Sequence, residues 1–383
     1  MVTPDSLRCI GLMSGTSADG IDAVLVRFTP SQAQPSYTVE NFLHVDFPIA
    51  YREQAAQVIE SQNLKEAFIL GRDLAQAYTS AIHTLLESTA FDTDDIDFVA
   101  VSGHTLLHVP PTEHQNGFTI DTTDLSMLAA LTHIPVIGKF RQKDMALGGH
   151  GAPLVPIAHR YLFGQTYPNA IIQNMGGIGN LTLLENGQAM LGFDTGPGNT
   201  WMDQTIKWHS RGEKRYDPEG QYARRGDIDH TLVEDLLRHP FFDATPPKST
   251  DIKDIGYPYL HLFKERLLAH RLEDALATVT FATAKSVAQA YDQWVFSSYN
   301  PTHVIVCGGG AFNQTLLAML QELVPALGIE TSQVLHLHPS LIETLSFAYL
   351  GVLCWQQQPN VLSRLTGSIQ DNIGGEIAYA GSL

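Results

Sequence analysis

The segment Phe193-Asp194-Thr195-Gly196-Pro197-Gly198-Asn199 sets one carboxylate beside a tight glycine-rich turn with room for little except backbone and a ligand. A carboxylate so placed accepts a proton from an attacking hydroxyl or water that lies within hydrogen-bond reach, which makes Asp194 the candidate catalytic residue. The competing local reading is a turn cap, with the side chain bonded to the N–H of Gly196. Residues 189–193 are mostly apolar and predict a buried strand, so Asp194 is expected where that strand ends and a crevice begins.

Three further loops carry small and polar residues in the same manner. Residues 14–20 offer the hydroxyls of Ser14, Thr16 and Ser17, with Gly15 and Gly20 permitting close approach of backbone to phosphate oxygens. Residues 174–180, which include Gly176, Gly177 and Asn180, form a second loop of this kind. Gly308, Gly309 and Gly310 follow an apolar run and precede a helical one, leaving space for a nucleotide base and ribose. Each loop alone also reads as an ordinary turn. Neither a Walker-type run nor a dinucleotide glycine fingerprint occurs in suitable context. If a triphosphate is held here, Asp194 suits a base better than a nucleophile, because phosphoryl transfer asks mainly for alignment and charge compensation.

Positioning these loops takes strands on either side of them. Strands are predicted at residues 9–13 and 21–28 around the first loop, and at 170–173 and 181–184 around the second, so the two halves share a strand, glycine-rich turn, strand plan. Further strands are expected at 96–101 and 303–307. Helices are expected over 64–86, 232–237, 257–293, 313–323 and 341–356, with irregular chain through Pro110, Pro111 and Gly117. A chain of 383 residues exceeds the size at which one core usually keeps growing. Two domains are therefore expected, residues 1–125 joined by 355–383, and residues 126–354, with a ligand crevice between them.

The formal charge of −17, from 23 Lys and Arg against 40 Asp and Glu, argues against a large nucleic-acid surface. Cys9, Cys307 and Cys354 stand far apart in apolar runs and read as core residues. His104, His108, His114 and His150 match no familiar zinc spacing, so no protein-bound metal is expected. Any required metal would be Mg²⁺ carried by nucleotide phosphates. The first eight residues lack a signal-peptide pattern and no run approaches ~20 apolar residues, so no membrane partner and a cytoplasmic location are expected. The charged residues 139–144 running into the glycines of 148–153 suit either a solvated surface or a clamp, built on Arg141, for a polar substrate. Glu343 opens the last helix, where it either serves the helix dipole or bonds a sugar hydroxyl.

In order along nearly the whole chain, these motifs resemble those of the anhydro-N-acetylmuramic acid kinases, members of the actin-like and sugar-kinase-like ATPase superfamily. The run from Gly11 through Ser14, Gly15, Thr16, Ser17, Asp19 and Gly20 to Asp22 resembles the opening phosphate loop of the family. Residues 174–180 resemble its second loop, and Asp194-Thr195-Gly196-Pro197-Gly198-Asn199 with Asp203 its catalytic motif. Arg141, Asp144, residues 148–156 and 247–250, residues 307–313, Glu343 with Phe347 and Ala348, and Thr366-Gly367 continue the match. The resemblance implies a two-domain α/β fold of the actin-like ATPase (duplicated ribonuclease H-like) type with an interdomain cleft. It implies ATP with Mg²⁺ as cofactor, an anhydro-sugar bound by Thr105, Arg141 and Glu343, and a cytoplasmic homodimer serving peptidoglycan recycling and amino-sugar metabolism. The chain departs from the family at Ser102-Gly103-His104-Thr105, where His-Gly-Gln-Thr is usual, and at Lys139, His150 and Asp251-Ile252-Lys253. These changes leave two alternatives beside the main reading: a kinase for another anhydro or open sugar such as levoglucosan, and a non-catalytic nucleotide-binding regulator.

Overall fold

The computed structural model describes residues 6–15, 20–29, 36–61, 63–112, 115 and 117–381. The chain divides into two compact units, Met1–Tyr161 with Leu341–Leu383, and Leu162–Ser340.

In the first unit the strands are β1 (Leu7–Met13), β2 (Gly20–Thr29), β3 (Ser36–Asp46), β4 (Phe98–Val101), β5 (Thr105–Val109), β6 (Phe118–Asp121) and β7 (Val136–Gly138). The main sheet runs β3-β2-β1-β4-β7 and ends on the C-terminal strand Glu376–Ala378. β1 is central, so both of its faces are covered and its sequence is almost uninterruptedly apolar. Its alternate residues part between two helices. Ile10 and Leu12 share a core with helix Leu64–Glu87, whose buried Ala67, Leu70, Leu74, Tyr78, Ala81, Ile82 and Leu85 repeat at helical spacing. Gly11 faces helix Leu341–Trp355, where a Cβ would come within 2.6 Å of the Thr344 carbonyl. Asn63 starts the first of these helices by accepting from the Glu66 N–H.

The second unit contains β8 (Ala170–Met175), β9 (Gly179–Glu185), β10 (Gln188–Gly196), β11 (His303–Cys307) and β12 (Gly328–Thr331), in the order β10-β9-β8-β11-β12. Its core centres on helix Leu272–Trp294, in which buried alanines and threonines allow close packing, and on fully buried Trp201, which donates from Nε1 to the Ile255 carbonyl at 2.7 Å. In both sheets the order is third, second, first, fourth, fifth. The first three strands are antiparallel and the other two join in parallel. This repeated α/β arrangement is the duplicated ribonuclease H-like fold of the actin-like ATPases, as the motif order implied.

The unit boundaries differ from those expected at residues 125 and 354. Residues 126–161 and 341–354 belong to the first unit, because β7 pairs with β4 and helix Leu341–Trp355 packs on β1, β2 and β4. Composition marks neither return. The helix-forming region expected over 257–293 consists of three helices, Tyr257–His261, Lys264–Ala269 and Leu272–Trp294. The chain expected to be irregular through Pro110, Pro111 and Gly117 lies between β5 and β6, which pair antiparallel on either side of it. Among the described residues no helix is long and apolar enough to cross a membrane.

Candidate active site

Asp194 lies inside β10, paired with Asn180 of β9, and the strand runs on to Gly196; it is not at the strand end. The register shifts between Asp194 and Gly196, which puts an irregularity next to the carboxylate. Its N–H donates to the Lys248 carbonyl at 3.1 Å, and its Oδ2 accepts from the Thr250 N–H at 2.8 Å. Thus the anchor that orients the carboxylate is Thr250, 56 residues away, where the local reading had named Gly196. Two buried oxygens, Asn180 Oδ1 on the residue paired with Asp194 and Ser249 Oγ next to its anchor Thr250, have no hydrogen-bond partner. Unpaired buried acceptors are costly, so both suit a bound polar ligand.

Behind these groups the buried Gln173 amide ties the strands together. Its Nε2 donates to the Asn180 carbonyl at 2.9 Å and to Thr195 Oγ1 at 3.1 Å, while its Oε1 accepts from the Tyr291 hydroxyl at 3.0 Å. Lys248 is also buried, with Nζ donating to the carbonyls of Phe241 and Phe242 at 3.0 and 3.1 Å. Sequence reading missed Gln173, and noted Lys248 only as part of a motif. A Gln within an apolar strand was the available signal for the first; Lys248, after Pro246-Pro247, carries none in the sequence.

The glycine loops of this unit meet. β8 and β9 are so tightly joined that only residues 176–178 form the turn. The Asn199 N–H donates to the Gly176 carbonyl at 2.8 Å, its Nδ2 donates to the Met175 carbonyl at 3.0 Å, and Thr200 Oγ1 donates to the Gly177 carbonyl at 2.5 Å. Gly198, at φ +51°, abuts the Gly176 carbonyl, and any side chain there would collide with it. Gly308 and Gly310 lie against Met175, and Gly309 faces Asn199. By contrast, a Cβ on Gly176, Gly177 or Gly309 would meet nothing closer than 3.4 Å. The result is a clasped backbone turn in which Gly176, Gly177 and Gly309 have only ordinary van der Waals neighbours.

In the first unit the opening loop is described only in part: Thr16, Ser17 and Asp19 lie outside the described residues. Ser14 is buried with Oγ 2.8 Å from the Tyr78 hydroxyl, so Tyr78 engages the side chain expected to face phosphate. Gly15 follows it, and Gly20 opens β2. Asp22 Oδ1 lies 2.8 Å from His44 Nδ1. Thr105 starts β5 opposite Asp121, and Glu343 sits in the first turn of helix Leu341–Trp355.

Arg141 belongs to a built loop, not a solvated charge run. Its Nη1 donates to the Gly151 carbonyl at 2.6 Å. Fully buried Asp144 then fixes that loop: Oδ2 accepts from the Gly151 N–H at 2.8 Å, and Oδ1 accepts from Thr366 Oγ1 at 2.7 Å and Asn372 Nδ2 at 3.3 Å. The His150 N–H donates to the Thr366 carbonyl at 2.8 Å, which binds the loop to the C-terminal segment.

Three histidines of this unit are held neutral. Burial lowers His104 to about 4, burial with the Arg141 charge lowers His108 to about 4, and burial lowers His159 to about 3, against an ordinary 6.5. Neither ring nitrogen of His104 has a hydrogen-bond partner. Because the folded values are depressed, the unfolded chain binds more protons below pH 6.5, and stability falls with pH until the folded values are passed. Ordinary carboxylates titrate lower; burial also raises Asp121 and lowers His150 in this unit, so the histidine share of the window from pH 6.5 to 5 is read by substitution. The urea midpoint of the first unit is expected to drop across it by at least ~2 kcal/mol equivalent, with a shallower drop in a His159→Leu variant. A flat profile would show that these rings are not kept neutral.

Among the described residues no group of three or more His, Cys, Asp or Glu is arranged to hold a metal ion. A carboxylate oriented through Oδ2 beside clasped glycine turns, on a duplicated ribonuclease H-like scaffold, is the arrangement expected of the actin-like ATPase class. The family model for anhydro-N-acetylmuramic acid kinase matches residues 7–380. An anhydro-N-acetylmuramic acid kinase of Saccharophagus degradans is 37% identical over 373 residues, covering 96% of this chain and 98% of the relative. One of Shewanella amazonensis is 37% identical over 368 residues, covering 96% and 97%. A third, of Haemophilus influenzae, is 35% identical over 374 residues, covering 94% of each. The chain belongs to the anhydro-N-acetylmuramic acid kinase family, and is a kinase with an alcohol group as acceptor. The shared name of these relatives does not favour the levoglucosan-type or regulatory alternatives.

Proposed function

We propose that this protein opens the 1,6-anhydro ring of 1,6-anhydro-N-acetylmuramic acid with water and phosphorylates O6 from ATP, giving N-acetylmuramic acid 6-phosphate and ADP. Water adds to C1 as the C1–O6 bond breaks, O6 forms its bond to the γ-phosphorus, and the bond from that phosphorus to the β-bridging oxygen breaks. Asp194 takes the proton that water releases. Phosphate capture by O6 makes its departure productive and prevents the ring from reclosing.

The observation that carries this reading is the Asp194 carboxylate, pinned through Oδ2 by the Thr250 N–H across from the unpartnered Asn180 oxygen. Gly176, Gly177, Asn180 and Gly308, Gly309 and Gly310 are assigned to nucleotide, as are Ser14, Gly15, Thr16, Ser17, Asp19, Gly20 and Asp22. Support for the cradle is the convergence of the three glycine segments, with no close neighbour at Gly176, Gly177 or Gly309. Thr105, Arg141 and Glu343 are assigned to the sugar, Arg141 being supported by its fixed loop. Mg²⁺ accompanying ATP would offset phosphate charge. The finer reading is completed by a cytoplasmic homodimer working in peptidoglycan recycling.

The assay follows ADP and sugar phosphate together under saturating MgATP. The expected result is one ADP per N-acetylmuramic acid 6-phosphate from the anhydro-sugar, with levoglucosan at least ~100-fold poorer in kcat/KM, as expected of a site whose polar groups are left unpaired by the smaller sugar. Turnover of open sugars without ring opening, or none of either anhydro-sugar, would overturn the assignment.

A further inference from the structure

We infer that Lys248 is a positioning residue for Asp194, its buried ammonium latching residues 248–250 to the carbonyls of Phe241 and Phe242 so that the Thr250 N–H holds one carboxylate oxygen. The inference deepens the proposed reaction and rests on the reading of Asp194 as base.

The geometry forms a closed path. Lys248 Nζ donates to both carbonyls, its own carbonyl accepts the Asp194 N–H, and two residues later Thr250 donates to Asp194 Oδ2. The 248–250 segment therefore grips Asp194 by its main chain and by its side chain, and is itself fastened at one point by a charge. Thr250 Oγ1 donates to Asp254 Oδ2 at 2.8 Å, which steadies the far end of the segment. A side chain that served only to fill space there would be apolar. Lys248 lies beside the rings of Phe193 and Phe241, where an ammonium is retained by their π faces as well as by the carbonyls.

The charged groups facing the ammonium are Asp243 and Asp194, and His239 reaches Asp254 from the far side at 3.6 Å. Burial lowers Lys248 to about 8, while Asp243 and Asp194 act in the opposite sense. Above that pH the charge is lost, and the two N–H donors of the neutral amine hold the Phe241 and Phe242 carbonyls more weakly, which loosens the latch. A misplacement of about 1 Å at a reacting group costs on the order of 100-fold in rate, so loosening this segment acts on turnover more than on binding.

The test compares wild type with Lys248→Met, which keeps the stem and removes the donors, and Lys248→Arg, which keeps the charge at all accessible pH. For Lys248→Met we expect kcat to fall about 100-fold with both KM values within about threefold, and faster hydrogen exchange at the Asp194 and Thr250 amides. For wild type we expect a basic limb in kcat near pH 8 that Lys248→Arg abolishes. A Lys248→Met enzyme with kcat within threefold of wild type, unchanged exchange at those amides, or a limb near pH 8 that survives in Lys248→Arg would each overturn the inference. Hydrogen exchange is read without substrate, so failure of the latch is separable from failure of the reaction: a wild type that exchanges slowly there but turns over no anhydro-sugar contradicts the reaction alone.

Discussion

Asp194→Asn is expected to lower kcat about 1,000-fold while ATP binding stays within about threefold of wild type. The amide can still accept from the Thr250 N–H, so the segment that grips position 194 need not move, and the glycine cradle contains no part of the side chain. In the proposed mechanism, what is lost is the group that takes a proton from water. Steady-state assays with calorimetric titration of a non-hydrolysable ATP analogue separate the two effects. Loss of nucleotide affinity in parallel with rate would mean that Asp194 organises the cradle and is not the base.

Asp144→Asn tests the other unit, and its effect falls on stability. Asp144 accepts on both oxygens, from the Gly151 N–H on one side and from Thr366 and Asn372 on the other. An amide cannot satisfy both, since its NH₂ must face a donor whichever way it is turned. Leaving buried donors unpaired costs about 3 kcal/mol, or roughly 6–12 °C in the melting temperature of that unit. Because Arg141 bonds the Gly151 carbonyl, KM for the sugar is expected to rise as well. A melting temperature within 2 °C of wild type by calorimetry, on the same scale, would show that the loop is held by other contacts.

Much of the scaffold was legible because its signals are local. The paired strands around residues 174–180 and the run from Gly308 to Gly310 are marked by abrupt changes from apolar to glycine-rich sequence, and the structure joins them in one cradle. Asp194 stood out for the same reason. What orients it did not, because the Thr250 N–H and the Lys248 carbonyl approach from 56 and 54 positions later through backbone atoms, which carry no residue-type signal. At Ser14 the sequence showed the hydroxyl beside Gly15 but not its neighbour, Tyr78, which lies on a helix read only for its apolar spacing. The strand β3 also escaped notice, since at a sheet edge its residues are only half covered and its alternation is weak. Likewise, helix Leu341–Trp355 was read as a helix, but its membership of the first unit depends on packing against β1, 330 positions away in the chain at Gly11 to Leu341.

The central claim is that water activated by Asp194 enters at C1 while O6 leaves to phosphorus. Turnover in ¹⁸O-water, quenched with borohydride to prevent exchange at the anomeric centre, tests it directly. The account predicts one ¹⁸O at C1 of the sugar phosphate and none in the transferred phosphoryl group. Label in the phosphoryl group with none at C1 would contradict it.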